Sequence, residues 1–277
     1  MGKVIYRPKG KAREYSPWAC NLYVGCSNDC FYCFNKRGVL GTVMGGKEPK
    51  LKSCIKDSFE AYSTFLSEVR RYRDEIVRDG GLLFSFSTDP CLPETVDLTM
   101  MCVSTATGMQ IPCQILTKCT SWILNDKVTA QALLLSRDLL SVGFTLTGAD
   151  DLEPGASPNS RRVEAMRFLH DRGFHTFASI EPVITFGDSL RMIRSAEPGC
   201  DLFKVGLLSG DRDAYAGYTM PDDLETFVEE VNGFLTKKGK PVYWKRSVSK
   251  ALGHPVEGAC CVGAGYDILN PSKTTRQ

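Results

Sequence analysis

The chain has 277 residues, 34 basic and 32 acidic, a formal net charge of +2, with 43% hydrophobic and 24% charged residues. That is ordinary globular composition and excludes a disordered chain, a collagen-like repeat and a solvated charge tail. No stretch approaches the ~20 apolar residues of a membrane span, and the opening MGKVIYRPKGKAREY lacks the apolar core of a signal peptide, so a soluble, cytoplasmic protein is expected.

In chain order, basic residues Lys3, Arg7, Lys9, Lys11 and Arg13 mark a segment over 1–14. An apolar stretch from Trp18 to Val24 then leads into a cysteine-rich loop. Ile55, Phe59, Tyr62, Leu66, Val69 and Ile76 recur at helical spacing, and Gly80-Gly81 end that helix. Strand Leu82 to Phe86, helix Glu94 to Thr107 and strand Cys113 to Thr117 follow. Asn125 caps a helix through Leu140, and Val142 to Leu146 is a strand. Ser160 caps a helix through Asp171, before strand His175 to Ile180, a short helix near Asp188 to Ser195 and strand Leu202 to Leu207. Helix Asp222 to Thr236 and a last strand, Pro241 to Trp244, close the series.

Strands alternating with helices imply parallel βα units with right-handed crossovers. The fold class expected is α/β: a partial (βα)6 TIM-type barrel over 15–210, with a C-terminal helix and strand extension over 211–277 closing it. In such a barrel, function sits at the carboxyl ends of the strands.

Twelve cysteines are the unusual number. A long chain without an export signal points away from a disulfide framework and toward core thiols or metal ligands. Cys26, Cys30 and Cys33 form a C-x3-C-x2-C run in a loop that also holds Gly25, Ser27, Asn28 and Asp29. Soft thiolates select iron–sulfur clusters, zinc or Cu(I), and a closed zinc site needs a fourth ligand. His170, His175 and His254 are all distant in sequence, though a remote cysteine could serve. Phe34 stands where a c-type haem site needs histidine, and ferredoxin spacing differs. Three thiolates on a [4Fe–4S] cluster leave one iron open to an exogenous ligand.

This run, with aromatic Tyr32 before its last cysteine, resembles the signature of radical S-adenosylmethionine (radical SAM) enzymes. The resemblance implies a [4Fe–4S] cluster on Cys26, Cys30 and Cys33, S-adenosylmethionine on the open iron, a 5′-deoxyadenosyl radical that abstracts hydrogen, and a flavodoxin- or ferredoxin-like reductant. Tyr32 then presents its backbone to adenine.

The segments STDP (Ser87 to Pro90) and ILTK (Ile115 to Lys118) resemble the spore photoproduct lyase-like branch, and SIEPVI and PVYWKR a phage-associated one, over roughly 15–246. By that resemblance Lys118 pairs with the cofactor carboxylate, Ser87 or Thr88 lies beside the cofactor, and Thr145 or Thr147 reaches its ribose. Glu181 holds the ribose or a substrate amine, against the plainer reading of a surface carboxylate. The lyase carries a hydrogen-donating cysteine just before its Thr/Ser-Asp segment. Phe86 occupies that place here, which weighs against thymine-dimer repair and leaves Cys91 as the substitute donor.

Cys54 and Cys102 fall in helical patterns and read as core. Adjacent Cys260 and Cys261 suit neither an unstrained disulfide nor C-x-x-C chelation. The N-terminal lysines with Tyr243-Trp244-Lys245-Arg246 offer charge and rings for a nucleic-acid base, against a solvated tail and an amphipathic strand. Three functions stay open: radical chemistry on a nucleic-acid base or nucleotide, the same chemistry on a peptide or small metabolite, and a non-enzymatic iron–sulfur or zinc sensor.

Overall fold

The computed structural model describes residues 3–125, 134–208 and 223–273. Its main sheet runs β1 (Ile5–Tyr6), β2 (Trp18–Cys20), β5 (Leu82–Phe84), β6 (Cys113–Thr117), β7 (Leu140–Thr145), β8 (His175–Val183), β9 (Leu202–Leu207) and β10 (Val242–Trp244), neighbours in that order. All pairs are parallel except β1 with β2, so seven parallel strands carry one antiparallel edge strand. This is the open α/β barrel expected, with β10 as a seventh strand. The strands read as continuous apolar runs because parallel strands under helices are buried on both faces: every residue of β5, β7 and β9 is buried.

Helices fill the crossovers in chain order: α1 (Gly38–Met44), α2 (Ser58–Arg78), α3 (Val96–Gly108), α4 (Ser121–Leu124), α5 (Asn159–His170), α6 (Phe186–Ala196), α7 (Leu224–Lys238) and α8 (Arg246–Leu252). Local signals set their ends. Asp57 accepts the Glu60 amide at 2.8 Å while Glu60 accepts the Lys56 amide at 2.8 Å, a reciprocal cap for α2. Thr185 caps α6 through the Asp188 amide at 3.1 Å. Buried Ala61, Phe65, Val69 and Ile76 form the inner stripe of α2.

Several boundaries differ from the sequence reading. The Trp18 to Val24 stretch splits: β2 joins the barrel, whereas β3 (Tyr23–Val24) pairs antiparallel with β4 (Lys50–Leu51) in a separate ribbon. Of the helix expected from Asn125 to Leu140, residues 126–133 lie outside the described residues, Leu134–Leu139 is a 3-10 turn, and Leu140 already begins β7. Ile55 precedes α2, and Cys54 is exposed rather than core, because both sit in the turn leading to the Asp57 cap. Cys102 is in the core as expected.

The basic N-terminal segment is not a solvated tail. Val4 and Ile5 are fully buried, and Arg7 pairs with Glu75 at 2.8 Å and Asp79 at 2.9 Å while stacking on Trp18 at 4.2 Å. Beyond β10, Val262, Tyr266 and Leu269 pack with buried Ile268 against Phe177, Leu202 and Leu116. Among the described residues no helix is long and apolar enough to cross a membrane.

Candidate functional site

A cavity of about 460 Å³ is lined by the cysteine loop and by residues at the ends of β5, β6, β7, β8 and β9. Strand ends supply this wall because the seven parallel strands point the same way and their backbones stop hydrogen-bonding there. Cys26, Cys30 and Cys33 all line it, with Tyr32, Thr88, Asp89, Lys118, Thr145, Ser179, Glu181 and Lys245.

The cysteine loop is held in a tight course. Gly25 (φ +79°) has no space for a side chain, since a Cβ there would lie 2.3 Å from the Glu48 carbonyl, and Asp29 adopts a left-handed φ of +48° between Cys26 and Cys30. Asp29 is secured by Lys36 and, at 2.7 Å, by Lys47. The Cys26 amide donates to the Gly46 carbonyl at 2.9 Å, so the glycine stretch after the loop braces it.

A second loop, after β7, clasps the first. The Phe31 amide donates to Leu152 O at 2.9 Å and the Gly155 amide to Asn28 O at 3.1 Å. Gly155 comes so close that a Cβ would sit 1.9 Å from Ser27 O. Glu153, fully buried, accepts a hydrogen bond from the Tyr32 hydroxyl, ion-pairs with fully buried Arg162 at 2.6 Å, and lies 3.8 Å from Lys118 Nζ. Lys118 also stands over the Tyr32 ring at 5.3 Å.

Asp89 of the STDP segment ties three elements together. Its Oδ1 accepts from Thr117 at 2.6 Å and from the Cys91 amide at 3.0 Å; its Oδ2 accepts from Asn28 Nδ2 and from the Lys118 amide, both at 2.7 Å. One carboxylate thus fixes the ends of β5 and β6 against the cysteine loop. Across the cavity, the Tyr15 hydroxyl bonds to Ser179 and Glu181, each at 2.6 Å, and Lys245 donates to Glu181. A bulge in β8 between Ile180 and Val183 aims Glu181 inward, over Gly206, whose missing side chain leaves room for Glu181 and Lys245.

Burial shifts the titrations. It pushes the Cys26 thiol up to about 12, and the Cys30 thiol upward, so both stay protonated unless a cation takes the proton's place. Burial works to lower Lys118, but the negative charges of a Cys30 thiolate and of Glu153 outweigh it and the net direction is upward. Behind Tyr15, buried Lys204 is brought down to about 7 by desolvation and by Lys245.

The structure therefore gathers Cys26, Cys30, Cys33, Tyr32, Thr88, Lys118, Thr145 and Glu181 around one cavity. Ser87, Thr147 and Cys91 are not on its wall. Ser87 donates to the Tyr23 carbonyl, the Thr147 hydroxyl accepts the Ala149 amide at 3.3 Å, and Cys91 is fully buried in the core with its thiol pushed well up by desolvation. The chain bends after β5, which turns Ser87 toward the Tyr23 carbonyl while Thr88 faces the cavity.

The nucleic-acid surface expected around Tyr243 to Arg246 is not formed. Tyr243 and Trp244 are buried, bonded to Glu14 at 3.0 Å and Asn232 at 2.9 Å, and Lys245 is committed to Glu181. Sequence reasoning missed Glu153, Arg162 and Tyr15: Glu153 meets Arg162 across 9 positions and Tyr32 across 121, and Tyr15 meets Glu181 across 166, pairings that no local motif marks.

Three thiols share one wall, and Asn28 Oδ1, Asn35 Oδ1 and Thr88 Oγ1, all on wall residues, are buried without a hydrogen-bond partner. Among the described residues no three His, Cys, Asp or Glu side chains are already drawn into a closed ligand set. Soft donors with unspent hydrogen-bonding capacity beside them fit an iron–sulfur cluster and a polar ligand.

Known structures align with the chain at low identity. Streptococcus suis SuiB bound to precursor peptide SuiA matches with a TM-score of 0.58 and 13% identity, over 94% of this chain and 61% of that one. SuiB bound to S-adenosylmethionine matches at 0.54 and 15%, over 82% and 49%, and native anSMEcpe with bound AdoMet at 0.50 and 16%, over 86% and 62%. The chain shares their fold. It spans about half to three-fifths of their length. No protein-family model matches the sequence, and no curated protein matches it.

Proposed function

We propose that this chain is a radical S-adenosylmethionine enzyme. The observation that carries the proposal is the placing of all three thiols of the C-x3-C-x2-C run on one cavity at the carboxyl ends of parallel strands. Two of the structures sharing the fold are bound to that cofactor, which supports the reading. A [4Fe–4S] cluster held by Cys26, Cys30 and Cys33 supplies, once reduced, cleavage of S-adenosylmethionine to a hydrogen-abstracting 5′-deoxyadenosyl radical.

The chain's own residues provide binding and shielding. Lys118, a cation on the cavity wall, holds a ligand carboxylate, and Thr88 and Thr145 offer hydroxyls to polar ligand groups. Glu153 steers Tyr32 and Lys118, and Asp89 fixes the end of β6 that carries Lys118 and, through Asn28, the loop that carries Tyr32. Apolar and aromatic residues such as Leu116, Phe86 and Leu207 keep water from the centre. The electron comes from a flavodoxin- or ferredoxin-like donor.

The substrate we propose is a nucleic-acid base or nucleotide. Lys9 and Lys11 on the cavity wall offer charge for phosphate, and Tyr15 and Phe86 offer rings for a base. A peptide or small metabolite is the competing outcome.

The test is anaerobic reconstitution with iron and sulfide, reduction, addition of S-adenosylmethionine and assay for 5′-deoxyadenosine beside a Cys30→Ala variant. Product from the native chain and none from the variant supports the proposal. Zinc uptake in place of a cluster overturns it. Deuterium carried from a nucleotide into deoxyadenosine assigns the substrate class, and deuterium from a peptide alone rejects it.

A further inference from the structure

The cysteine loop turns two aromatic rings outward. Cys30 and Tyr32 are buried, whereas Phe31 is 62% and Phe34 51% exposed, so apolar side chains of one short loop face both inward and outward. Two turns set this course, closed by the Cys33 amide on Cys30 O and the Lys36 amide on Cys33 O, each at 3.2 Å. Helix α1 packs across the second turn, where a Cβ on Gly41 would lie 2.6 Å from Lys36 O and one on Gly45 3.0 Å from Asn35 O. It adds Val43, 67% exposed. Among the described residues the other exposed large apolar side chains, Phe59, Val77, Met101 and Leu135, are scattered over α2, α3 and a later turn. Grouped apolar side chains at a surface mark a contact site, and single ones do not.

The same segment carries charge of one sign. Residues 26–52 hold five basic side chains, Lys36, Arg37, Lys47, Lys50 and Lys52, against Asp29 and Glu48, more net positive charge than the +2 of the whole chain. Lys36 and Lys47 share the single carboxylate of Asp29, and exposed Lys50 pairs with exposed Glu48 at 3.3 Å, so a positive surplus remains. Lys52 turns aside to the Lys3 carbonyl. Phe31 stands off the cavity wall that its neighbour Cys30 lines, so a partner can rest against the cysteine loop without entering the cavity.

We propose that Phe31, Phe34 and Val43, with Lys36, Lys47 and Lys50 around them, form the docking surface for an acidic one-electron carrier protein of the flavodoxin or ferredoxin kind. The inference rests on the proposed cluster at Cys26, Cys30 and Cys33. An electron must reach that centre while cofactor and substrate fill the cavity, and the outer side of the ligand loop is the approach that leaves the cavity closed. The carrier loses one electron, the cluster gains it, and no bond forms or breaks. Basic side chains steer an acidic partner, and the exposed rings supply a small apolar centre, the form of a transient electron-transfer contact. A nucleic-acid strand is the competing occupant.

The experiment mixes the reconstituted full chain with flavodoxin, joins lysines to carboxylates with a carbodiimide, and maps the crosslinks by mass. Crosslinks are expected at Lys47 or Lys50 and should fade at high salt, which screens such pairs. In a second measurement, reduction of the cluster is followed by bleaching of its visible absorbance, with flavodoxin or with dithionite as donor. The double variant Phe31→Ser, Lys50→Glu should take up the native amount of iron and be reduced by dithionite at the native rate, but by flavodoxin at least about tenfold more slowly, since charges at a rim act on encounter. A native rate with flavodoxin overturns the docking surface, and so do crosslinks confined to lysines outside 36–52. Shielding of Lys47 and Lys50 from acetylation by an oligonucleotide but not by flavodoxin assigns the face to nucleic acid and also overturns it. A chain that takes up no iron overturns the cluster reading itself, whereas a normal cluster with either of the other failures leaves that reading standing.

Discussion

Glu153 and Arg162 form an ion pair 2.6 Å long with both side chains fully excluded from solvent, and the same carboxylate accepts the hydroxyl of Tyr32 from the cysteine loop. Arg162 also donates to Ser157 O at 2.6 Å and to Thr145 O at 2.9 Å, so the guanidinium locks the loop after β7 to its own strand. A buried pair of this kind is weak as a source of stability but costly to break on one side. Arg162→Met should therefore cost about 3–5 kcal/mol in urea denaturation, by leaving the buried Glu153 charge with Lys118, 3.8 Å away, as its remaining cation. Removing both charges together should cost less than removing Arg162 alone; an additive double mutant contradicts the pairing.

Gly155 tests whether the two loops act as one clasp. A methyl group there would be placed 1.9 Å from Ser27 O, against backbone that cannot swing aside. Gly155→Ala should lower the iron retained after reconstitution several-fold while leaving far-ultraviolet dichroism unchanged. Undiminished iron content would show that the cysteine loop does not need this contact.

Lys118 stands at 3.8 Å from Glu153 and over the Tyr32 ring, with its amide fixed by Asp89. Removing its charge should weaken binding of a carboxylate ligand by about 10- to 100-fold, the usual value of a charge-assisted hydrogen bond. The measurement is calorimetric titration of Lys118→Met with S-adenosylmethionine on the reconstituted, unreduced protein, where turnover plays no part. Equal affinity in the two proteins would remove Lys118 from the cofactor site.

Lys204 gives a pH dependence with a definite sign. It is buried between the rings of Tyr15 and Phe177, at 5.2 and 4.6 Å, and is held at about 7 by desolvation and Lys245. An unfolded lysine titrates near ~10.4, so between about 7 and 10.4 the unfolded chain binds the extra proton and stability rises with pH, by up to ~1.4 kcal/mol per unit. Below the folded value both states carry the proton and the desolvation cost is present in full. The difference in stability between Lys204→Met and the native chain should be largest at acidic pH and shrink as pH rises through that window. A pH-independent difference would show that Lys204 keeps its ordinary titration.

The sequence by itself determined the alternation of strands and helices and the cysteine run. Both are written locally: period and capping depend on neighbours within a few positions, as in Asp57 with Glu60, and three thiols within eight residues can share a cavity whatever surrounds them. It also placed Thr88, Lys118, Thr145 and Glu181 at strand ends, where a parallel barrel collects its polar residues.

Only the tertiary structure decided which of those strand-end residues face inward and what they hold. Ser87 and Thr88 are adjacent, yet one is bonded to the Tyr23 carbonyl and the other lines the cavity. Tyr15 meets Glu181 across 166 positions, and Tyr243, Trp244 and Lys245, which look like a surface for nucleic acid, are buried against Glu14, Asn232 and Glu181. Such pairings are set by register between strands distant in the chain and by the cost of leaving a buried polar group without a partner, and neither is encoded in spacing along the sequence.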